Sequence, residues 1–398
     1  THSPMSGRRV GFCLSDKKRR RMNLGAFADF CATALLLWQI DLTQPLVPQG
    51  PFDVIVHKLS DVIVEAEHDS QSQQLLSNFQ SYVSTHPNTV LLDPLPAMTR
   101  LLDRFASYRI MNWRICSPPY LEIHSASDLS SIQQAVMAQG LSFPLICKTR
   151  VAHGSLSHEM SLIFSAGSLT DIHPPCVLQS FVNHGAVLHK VFVVGDKHFC
   201  VERPSLKNFP SGPCDRKTIF FNSHQVSKPE SSSDLTALDE QMPCLPPPSS
   251  QAVAALVREL RVQLGMALFG VDVILNIHTH TLTVIDINIF PGYEGVPQFF
   301  SSLLSHIESV LDKQTSVCPR ATSTPKTTLT TGVCDCECNK GVCQSGVCVC
   351  VCVCVCVCVC VCVNVRNRVS YPLRSSLSSA ATLRSSASIS SSSCRQEK

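Results

Sequence analysis

Two β-type runs, "ALFGVDVILN" (Ala267–Asn276) and "LTVIDINIF" (Leu282–Phe290), are separated only by "IHTHT", and a Pro-Gly turn stops the second at once. If these runs are antiparallel neighbours, Asp272 in the first faces the side of the second that carries Asp286 and Asn288. Residues two apart on a strand point to one face, so Asp286 and Asn288 converge. Two or three hard oxygen donors suit Mg²⁺, which keeps several waters and completes its octahedron with phosphate oxygens. The same pattern also reads as two capped strand ends beside an Asx-turn.

The rest of the chain supplies a frame for that pair. "RRVGFCLS" (Arg8–Ser15) and "FDVIVHKL" (Phe52–Leu59) read as buried strands, with a helical pattern from Leu24 between them. A helix near Gln71–Thr85 leads to the short strand "TVLLDP". Strands alternating with helices predict a parallel βαβ domain up to about residue 95. Beyond it, "FPLICKTR", "HGSLSHEMSLIFS", "PPCVLQSFVNH" and "AVLHKVFVVGDKHFCVERP" are strand runs joined by polar turns, which predicts a largely antiparallel sheet. Residues 211–250 are rich in Ser, Pro and Asp and read as a loop excursion. Val253, Leu256, Val257, Leu260 and Leu264 then recur at helical spacing. The domains expected are an N-terminal α/β unit over 7–95, a central lobe over 96–190, a C-terminal lobe with the metal site over 191–312, and a disordered low-complexity tail over 313–398.

Charge and cysteine usage narrow the setting. A formal net charge of +3 over 398 residues argues against a nucleic-acid binder, which carries a stronger basic excess. "ATALLLWQI" (Ala32–Ile40) is half the length of a bilayer span, which needs about 18 residues, and reads as buried core. No secretory pattern is read at the start, so a cytoplasmic, reducing setting is expected. Of 22 cysteines, only Cys13, Cys31, Cys116, Cys147, Cys176, Cys200, Cys214 and Cys244 precede the tail, and they are widely scattered. A disulfide framework would space them differently in a shorter chain.

Cations gather at the ends of the predicted strands. Lys148 ends "PLICK" and can hold phosphates as a point charge, or stand as an exposed strand-end lysine. "KKRRR" (Lys17–Arg21) follows the first strand directly, where parallel sheets place ligand loops, and Lys58 ends the second strand on the same edge. Lys17, Lys18 and Lys58 are therefore expected to converge on a polyanion, with His158 and Lys190 approaching from the second block. So many donors call for several phosphates rather than one carboxylate. "KKRRR" also reads as a solvated face or an import patch. "QSFVN" (Gln179–Asn183) ends a strand as a hinge whose backbone could read an adenine edge, or is an ordinary loop.

Together, "RRVGFCLSDKKRRRMN", "VIVHKLSDVI", "LLDPLPAMTRLLDR", "RICSPPY", "FPLICKTRVAHGSLSHEM", "RPSLKNF", "FFNSHQVSKPESSS" and "VIDINIFPGYEGV" resemble the inositol 1,3,4-trisphosphate 5/6-kinase family, from about Arg8 to Leu311. The resemblance implies an α/β ATP-grasp fold, with the N-terminal parallel domain followed by two ATP-grasp α+β lobes. It implies Lys18, Lys58, His158, Lys190, Asn288 and Gly292 as inositol-phosphate ligands, and Arg104 and Lys148 on the ATP phosphates. It implies Gln179 through Lys190 on the adenine side, with Ser205, Ser223 and Ser227 as further nucleotide contacts. Asp272, Asp286 and Asn288 would hold Mg²⁺, two ions in all, with ATP as co-substrate. Lys148, His158 and Lys190 would serve the transfer itself, His158 as a polar contact rather than a base. The implied reaction is phosphorylation of inositol 1,3,4-trisphosphate and inositol 3,4,5,6-tetrakisphosphate by a monomer, reversible through bound ADP.

Two departures from the family pattern stand out. Only "RIMNW" separates "LLDRFASY" from "RICSPPY", where the family carries a longer helical segment. Two lost turns would remove about 11 Å of rise and could misplace the second block. The tail run "VCVCVCVCVC" is what a GT dinucleotide repeat encodes, and reads as translated repeat rather than a selected element. "CDCECNKGVC" would be its rival reading as a metal-binding tail. An ATP-grasp carboxylate-amine ligase would share the metal site but needs no polycationic wall. A non-catalytic inositol-phosphate binder is the reading that the shortened segment favours.

Overall fold

The computed structural model describes residues 7–112, 115–237 and 245–317, all within one compact unit. The expectations for the Val-Cys run, "CDCECNKGVC" and Cys244 lie outside the described residues.

The N-terminal domain is a parallel sheet. β1 (Arg9–Cys13), β2 (Leu36–Gln39), β3 (Val54–His57) and β4 (Val90–Leu92) lie in the order β2-β1-β3-β4. Helices connect them: α1 (Asp16–Arg21), α2 (Leu24–Cys31), α3 (Ser60–Glu65) and α4 (Ser70–Thr85). The basic stretch becomes a helix because Ser15 caps it, its hydroxyl accepting from Lys18 N at 3.3 Å. Asp16 in the first turn and arginines in the last suit the helix dipole. That turn of helix points Lys18 inward and leaves Lys17 in solvent.

The run Ala32–Ile40 is not the buried core that its composition suggests. Leu35 and Ile40 are buried, but Leu36 and Trp38 are 54% and 48% exposed. β2 is the outer strand of its sheet, so one of its faces and its free edge meet water.

α5 (Leu95–Leu102) and α6 (Arg104–Met111) lead into the central lobe. There β5 (Tyr120–Ile123), β6 (Leu145–Thr149), β7 (Glu159–Ile163) and β8 (Cys176–Ser180) form an antiparallel sheet, with α7 (Leu129–Ala138) packed on it. The abbreviated segment after α6 does not detach this lobe: the carbonyl of Cys116 accepts from Val284 N at 2.8 Å.

β9 (Val187–Val194) and β10 (Lys197–Pro204) form a hairpin that belongs to the third sheet. The division expected at residue 190 therefore falls inside a strand paired on both of its edges. The Ser/Pro-rich excursion is also not all loop. It contributes β11 (Ile219–Asn222), which pairs with β7 and extends the central sheet to the order β11-β7-β6-β8-β5. α8 (Ser223–Val226) follows at once, then α9 (Ser250–Leu264), whose Val253, Val257, Leu260 and Leu264 are buried. β12 (Leu268–Leu275) and β13 (Leu282–Ile289) complete the third sheet, β10-β9-β12-β13, and α10 (Phe299–Val317) closes the fold.

The three sheets are tied by buried polar contacts. Asp93, just past β4, accepts from Ala267 N at 2.7 Å and Leu268 N at 2.8 Å, docking the N-terminal domain on the start of β12. Its carbonyl meets His57 Nε2 at 2.5 Å. Burial pushes the Asp93 carboxyl up to about 6 and the His57 imidazole down to about 4.

Candidate functional site

Three charged side chains share one rung of the third sheet. β12 pairs with both neighbours, setting Asp272 opposite Asp286 on β13 and opposite Lys190 on β9. Lys190 Nζ lies 3.1 Å from each oxygen of the Asp272 carboxylate. Residues directly opposite in an antiparallel pair share a face, so the antiparallel pairing puts both carboxylates on one side. Asn288, two residues on, stands opposite Gly270 on the same face as Asp286.

A bulge next to that rung re-aims the backbone. Asp272 pairs with Asp286 but Val273 pairs with Val284, leaving Ile285 as the extra residue. The Ile285 carbonyl accepts from Lys148 Nζ at 2.9 Å and from Tyr108 Oη at 3.5 Å. Lys148 thus reaches from β6 of the central sheet to β13 of the third. It is only 4% exposed, and burial pulls its ammonium down to about 8, with Asp286 opposing the shift. The Tyr108 ring lies 5.3 Å from Nζ and adds cation–π attraction.

Arg104 opens α6 beside the end of β6. Its guanidinium donates to the Thr149 carbonyl and, at 3.4 Å, to the Ser157 carbonyl. Its buried Nε has no partner among the described residues. His158 ends the loop between β6 and β7, 5.4 Å ring to ring from His224. Burial lowers the His158 imidazole, as do neighbouring His224, Arg104 and Lys190, while Asp286 opposes them.

The early lysines meet the turn that ends β13. Lys18 Nζ donates to the Phe290 carbonyl at 3.0 Å and to the Pro291 carbonyl, and stands 3.8 Å above the Phe290 ring. Lys58 Nζ donates to the same Phe290 carbonyl at 3.2 Å. Burial lowers both ammoniums, Lys58 to about 8, and each is lowered further by the other or by neighbouring cations. Lys17, by contrast, is exposed and makes no such contact in the described structure.

The hinge residues sit behind this cluster. Gln179 Oε1 accepts from Tyr108 Oη at 2.9 Å, and its buried Nε2 has no partner among the described residues. Ser205 Oγ lies 2.7 Å from His184 Nε2, in a buried contact under the hinge. Ser223 and Ser227 bracket α8, which carries His224 toward His158. Gly292 follows Pro291 in the turn reached by the lysines.

The donor set fits Mg²⁺ in type. Among the described residues no three His, Cys, Asp or Glu gather as a metal cluster. Two opposed carboxylates and an amide are all oxygen donors, and such a set leaves coordination positions for water and phosphate.

Several participants lay outside the sequence reading. Tyr108 stands four residues after Arg104, one helical turn on, and that spacing was its signal. His224 and Glu294 carried none, because only the third dimension brings them to the site, and Arg21, the end of the basic run read after the first strand, was not singled out within it. Glu294 Oε1 lies 3.1 Å from Arg21 Nη2.

Comparison with known proteins is consistent with this geometry. Residues 110–309 match the family model described as the inositol 1,3,4-trisphosphate 5/6-kinase ATP-grasp domain, and residues 9–98 match its pre-ATP-grasp domain. The chain is 50% identical over 319 residues to an inositol-tetrakisphosphate 1-kinase of Xenopus laevis, covering 78% of this chain and 80% of that one. It is 51% identical over 320 residues to the Danio rerio protein of that name, covering 78% and 81%. Among solved structures, the D-cycloserine synthetase DcsG shares the fold, with a TM-score of 0.51 at 12% identity, covering 76% of this chain and 99% of that one.

Proposed function

We propose that this chain, which belongs to the inositol 1,3,4-trisphosphate 5/6-kinase family and is a kinase, uses Mg²⁺ and ATP to phosphorylate inositol 1,3,4-trisphosphate at positions 5 and 6 and inositol 3,4,5,6-tetrakisphosphate at position 1. The observation that carries the reading is a convergence on β13. Lys148 meets it at Ile285, the Asp272–Asp286 pair lies beside that point, and Lys18 and Lys58 reach the turn that ends it.

In this reading Asp272, Asp286 and Asn288 hold the metal, two ions in all. When bound, Mg²⁺ supplies charge neutralisation at the β- and γ-phosphates. Phosphoryl transfer leaves little covalent work to the protein, so positioning and electrostatics dominate. Lys148 and Arg104 balance phosphate charge from a buried position, where each cation is screened less than in water. Gln179, Lys190, Ser205, Ser223 and Ser227 line the nucleotide side. Lys18, Lys58 and Lys190 hold ring phosphates so that one hydroxyl lies in line with the transferred group. His158 makes a polar contact near the transfer point, and Asn288 and Gly292 approach the ring closely. The same contacts serve the reverse transfer to bound ADP.

We further place the protein in the cytoplasm as a monomer. The seven cysteines found free among the described residues support a reducing compartment. No helix among the described residues is long and apolar enough to cross a membrane.

The test is turnover by the purified full chain. With ATP, Mg²⁺ and inositol 3,4,5,6-tetrakisphosphate, an inositol pentakisphosphate should accumulate on ion-exchange chromatography. ATP consumption with amino-acid substrates alone would overturn the reading in favour of a ligase. Calorimetric binding of the tetrakisphosphate without product would reduce it to a non-catalytic binder.

A further inference from the structure

The mouth of the cationic cluster already holds an anion, and it is the chain's own. Arg21, the last residue of α1, pairs with the Glu294 carboxylate at 3.1 Å. That carboxylate lies directly over Gly292: a Cβ built on Gly292 would overlap it. The Glu294 backbone is held in place by Arg203, whose Nη2 donates to its carbonyl at 2.8 Å. Its charge is felt by Lys18, Lys58 and His224, so it sits electrostatically inside the proposed substrate wall.

This contact is built to be given up. Both partners are nearly half exposed, and an exposed ion pair contributes little to stability. A ring phosphate brings up to two charges and stronger charge-assisted hydrogen bonds to the same arginine. Resting on the inositol-polyphosphate reading above, we infer that Glu294 is an internal competitor for ring phosphate. It occupies Arg21 and the space over Gly292 until substrate displaces it, and it repels rings that carry more phosphate on that side. Glu294 is thus a specificity-determining residue and Arg21 a substrate-phosphate contact. The product carries one phosphate more than the substrate, so the same repulsion favours its release.

The experiment compares the wild-type chain with Glu294→Gln, Glu294→Asp and Arg21→Gln, using inositol 3,4,5,6-tetrakisphosphate as substrate and inositol pentakisphosphate as product inhibitor. Glu294→Gln should lower KM for the tetrakisphosphate by roughly threefold to tenfold and strengthen inhibition by the pentakisphosphate by more. Glu294→Asp, which keeps the charge, should stay near wild type, and Arg21→Gln should raise KM. Equal KM and equal product inhibition in wild type and Glu294→Gln would overturn the inference. So would a matching change in KM for ATP, since that marks a general disturbance. Absence of both turnover and tetrakisphosphate binding in the wild-type chain would instead sink the proposed function.

Discussion

The ammonium of Lys148 donates to the carbonyl of Ile285 across 2.9 Å, joining the central sheet to the third one. The contact exists because the bulge in β13 leaves that carbonyl outside the strand ladder. A buried lysine is costly, and this one is retained next to two carboxylates, where a cation can also face phosphate.

Lys148→Met separates those two roles. It removes the cation that the proposed reaction needs, so kcat/KM for ATP should fall by about 10²–10³-fold. It also relieves the burial of a charge while losing one hydrogen bond, and these effects offset each other. The unfolding free energy from urea titration should therefore stay within about 1 kcal/mol of wild type. A large loss of stability with intact turnover would assign Lys148 to the scaffold.

The same burial predicts a pH dependence. Lys148 and Lys58 both lose their protons near pH 8 in the folded chain rather than near their ordinary value of 10.5. Binding of phosphate requires the charged forms, so kcat/KM should decline as pH rises through about 8. Bound phosphate favours the ammonium, so the break in kcat should lie at higher pH. The stability effect has the opposite sign. Between about 8 and 10.5 the unfolded chain binds more protons, so these lysines make stability rise with pH in that window. Coincident breaks in kcat and kcat/KM would count against the assignment.

What the sequence displayed was whatever lies along a strand. Asp272, Asp286 and Asn288 were legible because the period of two and the short connection fix which side chains share a face. Lys58 and Lys148 were legible as cations at strand ends, and Lys18 through its place after β1. The bulge at Ile285 was not legible, since no Gly or Pro marks it and the extra residue is an ordinary β former. The burial of Leu36 and Trp38 was misjudged because hydrophobicity does not reveal that a strand lies at a sheet edge. β11 was hidden among serines and prolines, because a four-residue outer strand needs little sequence signal of its own. The pairing of Arg21 with Glu294 spans most of the folded chain and has no local signature.

Asp286→Asn and Asp272→Asn test the metal site by different routes. Either change removes a charged oxygen donor, and turnover with Mg²⁺ should fall by about 10²-fold or more. Asp272→Asn also releases Lys190, whose ammonium lies 3.1 Å from both carboxylate oxygens. It should therefore weaken phosphate discrimination as well as metal dependence. In the wild-type chain, chelation by EDTA should abolish turnover and excess Mg²⁺ should restore it. Full activity in EDTA would remove the metal from the proposal.

Tyr108 offers the last test, on the wall behind Lys148. Its hydroxyl donates to Gln179 Oε1 at 2.9 Å in a fully buried position. Among the described residues Gln179 Nε2 already lacks a partner, so Tyr108→Phe would leave the buried amide without its side-chain donor too. An unsatisfied buried polar group costs about 1–3 kcal/mol, and urea unfolding should show a loss of that size. The ring itself is kept, and with it the attraction to Lys148 Nζ at 5.3 Å. Activity at saturating ATP should thus fall less than tenfold, while KM for ATP rises as the Gln179 side of the hinge loosens. Unchanged stability would mean that the amide finds another donor, and that the hinge is not held through Tyr108.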